Sequence, residues 1–171
     1  MTTIFDFLPE IVGSLLGVFV GTFIGFWVER RKKMEESKEI KIEYLNAVIN
    51  EIKKNNEIIA LASLIIHILD DGTVVNYYGE HMSTESTLSG TYSGEFRTLS
   101  INLQSQLAKY LMYCNFNNSF IDNLNFSSPS VIQGKNFAKQ SVHYYNILKN
   151  YIPNVLITLE IELQGVNVHS N

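Results

Sequence analysis

Residues 8–28 read LPEIVGSLLGVFVGTFIGFWV, and this stretch decides how the remainder of the chain is interpreted. It contains no charged residue from Ile11 to Val28. A helix needs about 20 predominantly apolar residues, at about 1.5 Å each, to cross the hydrocarbon core of a bilayer. The sequence therefore predicts a transmembrane helix within residues 1–29 and a second domain over residues 30–171. A secretory signal peptide is disfavoured, because its basic residues precede the apolar run.

Within this stretch, glycine recurs at every fourth position and forms a glycine stripe of Gly13, Gly17, Gly21 and Gly25. Four residues turn a helix by about 400°, so these positions share one face. Each glycine costs roughly 1 kcal/mol relative to alanine inside a helix, which suggests that a smooth face is needed. Membrane helices pack closely through such small-xxx-small faces. The stripe, with Ser14 and Thr22 beside it, is predicted to pack helices around an axis or to line a pore.

Basic residues follow the apolar stretch directly, at Arg30, Arg31, Lys32 and Lys33. Basic residues next to a span mark its cytoplasmic side, and Trp27 stands where an interfacial aromatic belongs. The predicted topology in the cell (inner) membrane is single-pass, with the N-terminus outside and the C-terminal domain in the cytoplasm. The basic cluster also suits anionic lipid headgroups.

The second domain is acidic and is predicted to be helical. The chain carries a net charge of −4, and residues 34–171 hold nine Lys or Arg against fourteen Asp or Glu, a net of −5. A generic nucleic-acid binder would be basic instead. The single cysteine, Cys114, excludes an intrachain disulfide and a thiolate metal site, and is predicted to be an inert packed thiol. Apolar residues at helical spacing from residue 40 onward predict an all-α fold, in which the transmembrane helix continues into a bundle of three to four helices.

The predicted helices have defined boundaries. The first is free of Gly and Pro from Lys32 to about Leu69, and its apolar second half from residue 58 is expected to be buried in the domain centre or at a subunit contact. The second spans residues 95–124, and the third begins near Lys135. Pro153 is predicted to kink or divide the third helix, and residues 154–163 fit either a further helix or a strand.

Residues 73–94 are rich in Ser, Thr, Gly and Tyr and are predicted to form a long loop, with a strand or hairpin near residues 74–78 as an option. One interpretation is a ligand-binding loop in which Tyr77, Tyr78, His81 and Tyr92 stack on a base or ring and Arg97 binds a phosphate. The alternative is an irregular surface loop whose tyrosines pack back onto the helices.

Motifs that carry chemistry are missing from the sequence. It contains no GxxxxGK[ST], GxSxG, HExxH or CxxC motif, and no Arg-x₄₋₆-His pair of the kind found in helical nucleases of the higher-eukaryote/prokaryote nucleotide-binding type. We therefore predict a protein that is not an enzyme and has no catalytic residues, no metal site and no cofactor.

The order of features resembles that of small bacterial and archaeal membrane proteins associated with antiviral defence. The shared pattern is one N-terminal span, a basic stop, a helix with E-[IL]-x-x-N (here Glu51 to Asn55), a Ser-Gly-rich loop and a helix with L-x₃-Y spacing. The last motif is one residue shorter here, from Leu107 to Tyr110. The Hailong membrane effector and some CRISPR-associated membrane accessory proteins are similar in this respect. The resemblance implies an oligomeric membrane effector, gated by a signal at its cytosolic domain, that depolarises the infected cell.

Two functions from different classes follow from these observations. The first is a homo-oligomeric channel or pore of four or more copies, regulated at its cytosolic domain by an oligonucleotide or a protein. The second is a membrane-tethered adaptor, in which the span only anchors and the helical domain binds a partner protein. A tethered enzyme that uses residues 77–97 is a third hypothesis.

Overall fold

The protein is all-helical throughout the residues that its computed structural model describes, which are 8–70, 80–126 and 131–168. The four α-helices are α1 (Leu8–Asp70), α2 (Glu85–Ser93), α3 (Ile101–Phe126) and α4 (Val131–Val168), and a 3-10 turn at Glu95–Thr98 follows α2. No strand occurs in these ranges. The predicted all-α class is therefore confirmed.

The chain divides into two compact units, Met1–Ile40 and Lys41–Asn171. The described part of the first unit is helical, and its large apolar side chains from Leu15 to Val28 are between 53% and 78% exposed. Among the residues described, no helix contains a segment that is long and apolar enough to cross a membrane. The transmembrane helix therefore stays a prediction.

The core of the second unit is built by α1, α3 and α4. Apolar residues at three- and four-residue spacing bring one face of each helix into a single buried cluster. The largest fully buried side chains include Leu45, Val48, Ile52, Ile59, Leu103, Leu107, Tyr110, Ile121, Tyr145, Leu148, Ile152 and Leu159. The helical bundle predicted from this spacing is thus confirmed.

The segment predicted as a loop over residues 73–94 is helical in its second half. Residues 71–79 lie outside the described part of the chain, so the strand or hairpin near residues 74–78 is not addressed. Helix α2 occupies Glu85–Ser93 and ends at Gly94, whose φ of 98° is the left-handed conformation that favours glycine at a helix C-terminus. Serine, threonine and glycine are poor helix formers, so contacts with α1 and α3 hold this segment.

Two other boundaries differ from the prediction. The helix expected from residue 95 begins at Ile101, because Leu99 is extended at φ −77° and ψ 159° and separates the 3-10 turn from α3. Helix α4 begins at Val131 and runs past Pro153 to Val168, so neither a division of the helix nor a strand over residues 154–163 is found. The Pro153 side chain is exposed and leaves the buried face intact.

The apolar half of α1 is only partly buried in the described structure. Ile59 belongs to the core, whereas Leu61 is 59% exposed, so Leu61 does not lie in the domain centre and its burial at a subunit contact stays a prediction. Side chains 62–70, including His67, lie outside the described ones.

Candidate functional site

A carboxylate from α1 caps the N-terminus of α2. The Glu51 side chain is buried and accepts hydrogen bonds from the backbone N–H groups of Ser86 (2.6 Å) and Thr87 (3.3 Å). The hydroxyls of Thr87 (2.6 Å) and Ser83 (3.4 Å) also donate to it. Thr84, at the N-cap position, makes no capping hydrogen bond of its own. Glu51 therefore satisfies orphan N–H groups of α2 and places a negative charge at the positive end of the helix dipole.

Two asparagines hold the residues that lead into α2. Asn55 accepts from the N–H of Ser83 at 3.0 Å and donates to its carbonyl at 2.6 Å. Asn118 of α3 makes the same pair of bonds with Met82, both at 2.9 Å. Each amide thus replaces the two main-chain partners that a neighbouring strand would supply. We call Glu51, Asn55 and Asn118 the polar clamp, and residues 80–98 the docked segment.

A buried group of polar side chains lies beside the clamp. Asn55 also donates to the Tyr110 hydroxyl, and Cys114 Sγ lies 3.6 Å from the Sδ of Met82. Burial raises the pKa of Cys114 to about 12, and a smaller contribution from the Glu51 charge acts in the same direction, against the hydrogen bond with Tyr110. Burial also raises the pKa of Tyr110. The thiol therefore stays protonated at neutral pH and does not act as a nucleophile.

Further contacts attach the docked segment at both ends. The Tyr145 hydroxyl donates to the carbonyl of Glu80 at 3.3 Å, and His81 Nε2 lies 3.0 Å from an Asp122 oxygen. At the other end, the Tyr44 hydroxyl donates to the Thr87 carbonyl at 3.4 Å. Only Met82, Thr87 and Gly90 of residues 80–93 are buried, so polar contacts provide most of the attachment.

The start of the second unit contains a separate ion pair. Lys41 Nζ lies 2.8 Å from Glu162 Oε1 of α4, and it donates to the Thr98 carbonyl at 2.9 Å. Both side chains are largely shielded, with 19% and 17% of their surface exposed. Burial alone would raise the pKa of Glu162, but hydrogen bonds from Lys41 and Ser100, and the charge of Lys41, hold it below its ordinary value.

This ion pair predicts an acid-sensitive contribution to stability. Because the pKa of Glu162 is lower in the folded chain, the unfolded chain takes up the proton first as the pH falls. The contribution is full above the ordinary carboxyl pKa and disappears as the pH drops through the folded value. Urea unfolding followed by circular dichroism between about pH 6 and about pH 3 should show a larger loss of stability for the natural chain than for Glu162→Gln.

The matched control is Glu160→Gln on the same helix. Its carboxylate lies 4.0 Å from Lys53 and is 53% exposed, and such surface pairs contribute little. This variant should therefore lose as much stability on acidification as the natural chain does. If Glu162→Gln behaved in the same way as this control, the acid sensitivity would not come from the Lys41–Glu162 pair.

Three of the five predicted ligand-binding residues, His81, Tyr92 and Arg97, lie in the described part of the chain. Tyr77 and Tyr78 lie outside it. Tyr92 on α2 is 87% exposed, and Arg97 in the 3-10 turn is exposed as well. Ligand binding at these residues stays a prediction. The described residues contain no group of His, Cys, Asp and Glu side chains that could hold a metal ion.

The glycine stripe and the basic cluster both lie on the first unit. A side chain built at Gly13, Gly17, Gly21 or Gly25 would meet nothing within 4 Å. The Thr22 hydroxyl donates to the Val18 carbonyl of its own helix at 2.7 Å. Three basic side chains form ion pairs along the helix. Arg31 pairs with Glu35, Lys32 with Glu36 and Lys33 with Glu29. Four basic and three acidic residues over positions 29–36 leave a net charge of +1.

The motifs of the sequence include Glu51, Asn55 and Tyr110, but they predict no role for these side chains. The structure places all three at the polar clamp and its neighbouring buried group. Asn118 was missed, because it stands in a run of asparagines whose exposed and buried members look alike in sequence. The pairing of His81 with Asp122 was missed as well, since the two are far apart along the chain.

The geometry defines a class of site: a buried polar clamp that holds a short helix onto an all-α bundle. Each of its three side chains hydrogen-bonds to residues 82–87, so it has the character of a structural or conformational site. Comparison with protein-family models, with curated proteins and with solved structures finds no significant match.

Proposed function

We propose that this protein is a homo-oligomeric membrane effector of antiviral defence, whose apolar N-terminal helix forms a pore or disrupts the inner membrane when a signal acts on its helical domain. The observation that carries the proposal is the apolar surface of the first unit. Ten large apolar side chains between Leu15 and Val28 are more than half exposed on one helix. Monomeric soluble proteins rarely expose continuous apolar surface of this kind, which marks a partner or a membrane.

In the full sequence, the uncharged stretch is longer than this described surface. The uncharged stretch begins at Ile11, ahead of the first described side chain, and it ends at the basic residues that follow Val28. A lipid environment suits Thr22 because its hydroxyl is already satisfied by its own helix. The net charge of positions 29–36 is only +1. Apolar burial, more than attraction to lipid headgroups, would therefore hold the chain in the bilayer.

The glycine stripe supports an oligomer rather than a lone anchor. Its open face would let a second copy of the helix approach the backbone closely. Replacing Gly17 and Gly21 together with leucine is expected to abolish assembly and ion flux in liposomes, because the two side chains would hold the helices apart. The measurements are the mass of the detergent-solubilised complex and the release of an ion from loaded liposomes.

Two control variants sharpen this test. Replacing the same two glycines with alanine keeps the face small and should preserve assembly and most of the flux. Replacing Phe19 and Phe26 with leucine changes the face of the helix opposite the stripe and should have little effect. The pore mechanism is wrong if full flux survives the leucine pair at Gly17 and Gly21.

A membrane-tethered adaptor is the second candidate, and a surface of the second unit favours it. Aromatic rings of α3 and α4 stack along the outside of the bundle, with ring centroids 5.5 Å apart for Phe116 and Tyr144 and 5.7 Å apart for Phe120 and Tyr144. Phe116 is 45% exposed. Partly exposed aromatic residues are typical of protein–protein contacts. Exchange of residues 8–28 for an unrelated span separates the two candidates, because an adaptor would keep its function and a pore would lose it.

A further inference from the structure

We infer that residues 80–98 form a strap that undocks from the bundle as a unit while the core of α1, α3 and α4 stays folded. This inference concerns the second unit alone and does not depend on the proposed membrane function. It rests on how the docked segment is attached, on what lies under it, and on the position of the only cysteine in the chain.

The attachment of the docked segment is polar and directional. The polar clamp contributes eight hydrogen bonds to residues 82–87, and the hydroxyls of Tyr44 and Tyr145 contribute one each to carbonyls of the segment. Water offers replacement partners for all of these groups when the segment leaves. Apolar burial has no such replacement, and in residues 80–98 it is confined to the Met82 side chain, the small residues Thr87 and Gly90, and Phe96, which is partly buried against the core.

Other parts of the chain form almost all of the core under the docked segment. The buried cluster of the second unit consists almost entirely of side chains from α1, α3 and α4, and Met82 and Leu99 are its only members from residues 80–100. Segments with few buried apolar contacts open locally at lower free energy than the core around them. The docked segment therefore fits a separate opening unit.

The accessibility of the Cys114 thiol reports on undocking. Cys114 is fully buried, and the Sδ of Met82 lies 3.6 Å from its Sγ. When residues 80–98 leave, the cover over this thiol leaves with Met82, and the polar side chains of Glu51 and Asn55 become available to another ligand. Any partner that binds them would shift the equilibrium toward the undocked state.

The test is the rate at which 5,5′-dithiobis(2-nitrobenzoate) modifies Cys114 in the detergent-solubilised full chain. In the natural chain, this rate should depend on urea much more weakly than global unfolding does, because undocking exposes little surface. A urea dependence equal to that of global unfolding, measured by circular dichroism, would overturn the inference. This comparison needs no variant.

Two variants on the same helix test the role of the clamp. Glu51→Gln keeps the size of the side chain but weakens the charge-assisted cap of α2, and it should accelerate modification about tenfold with the helical signal unchanged. Glu57→Gln removes an exposed glutamate six residues further along α1 and should react at the natural rate. Equal rates for the two variants would show that Glu51 does not hold the strap.

Hydrogen exchange measured by mass spectrometry gives an independent readout. The amides of α2 and the flanking turns should exchange together and faster than those of α3 between residues 103 and 121. Exchange of both regions at a single rate would contradict a separate opening unit. Survival of liposome flux in the leucine variant of Gly17 and Gly21 would overturn the pore mechanism but leave these outcomes unaffected, so the two proposals fail separately.

Discussion

Replacing Asn55 with alanine is expected to lower the free energy of unfolding by about 3 kcal/mol, the largest loss that we expect from a single polar side chain of this protein. The Asn55 amide is fully buried and serves the N–H and the carbonyl of Ser83 together with the Tyr110 hydroxyl. Alanine would leave these groups without their partner, and each unpaired buried group costs roughly 1–3 kcal/mol. The higher helix propensity of alanine offsets only about 0.5 kcal/mol of this loss.

The neighbouring residue provides the control for this variant. Asn56 has the same chemistry and lies on the same turn of α1, but its side chain is exposed. Asn56→Ala should change the free energy of unfolding by no more than about 0.5 kcal/mol. Urea unfolding of the two variants, followed by circular dichroism, measures the difference. Equal stabilities would mean that Asn55 does not hold the docked segment as described.

Gly90→Ala is expected to destabilise the second unit by about 2 kcal/mol, although alanine normally favours a helix. An added Cβ would lie 2.6 Å from the Tyr44 hydroxyl, and closer still to two carbons of the same ring. Tyr44 is buried and donates to the Thr87 carbonyl, so its ring cannot move aside without loss of packing and of that bond. Either the ring or α2 must therefore shift.

Gly165→Ala on α4 is the matched control, because a side chain there would meet nothing within 4 Å. It should stabilise the protein by up to about 1 kcal/mol, as expected for alanine in place of a helical glycine. Combining Gly90→Ala with Tyr44→Ala removes the clash, and the double variant should be more stable than the sum of the two single effects predicts. Simple additivity would show that the ring of Tyr44 is not the obstacle.

Asn55→Ala and Gly90→Ala also test the proposed undocking of residues 80–98. Asn55 holds the residues before α2, whereas Gly90 allows the helix itself to approach α1. Both substitutions weaken attachment of residues 80–98 and leave the apolar faces of α3 and α4 unchanged. We therefore expect faster modification of Cys114 in both.

How much of the fold is visible in the sequence depends on the range of the forces involved. The all-α class followed from apolar side chains at three- and four-residue spacing, a property of single helices. Pro153 shows the limit of such local rules. The predicted division of the helix is not found, because α4 is helical on both sides of Pro153 and both Ile152 and Val155 are held in the core.

The candidate site was less visible because its partners are distant in sequence. Glu51 and Asn55 could be read as two polar positions on one helix face, but nothing nearby shows that one caps α2 and the other pairs with Ser83. Asn55 and Asn56 are the same residue type, and only the position of the docked segment makes one of them buried. Tyr92 and Arg97, which are predicted to bind a ligand, lie exposed on this segment.

The sequence by itself determined the features that a single helix expresses: the uncharged stretch that ends at Val28, the glycine stripe beside it, and the helical periodicity of the second unit. Tertiary structure alone decided that residues 85–93 are helical and docked. Their intrinsic propensity favours a loop. They gain helical structure because Glu51 caps the N-terminus of α2 and because Gly90 leaves room for the ring of Tyr44. These contacts join residues more than 30 positions apart, and no local pattern encodes them.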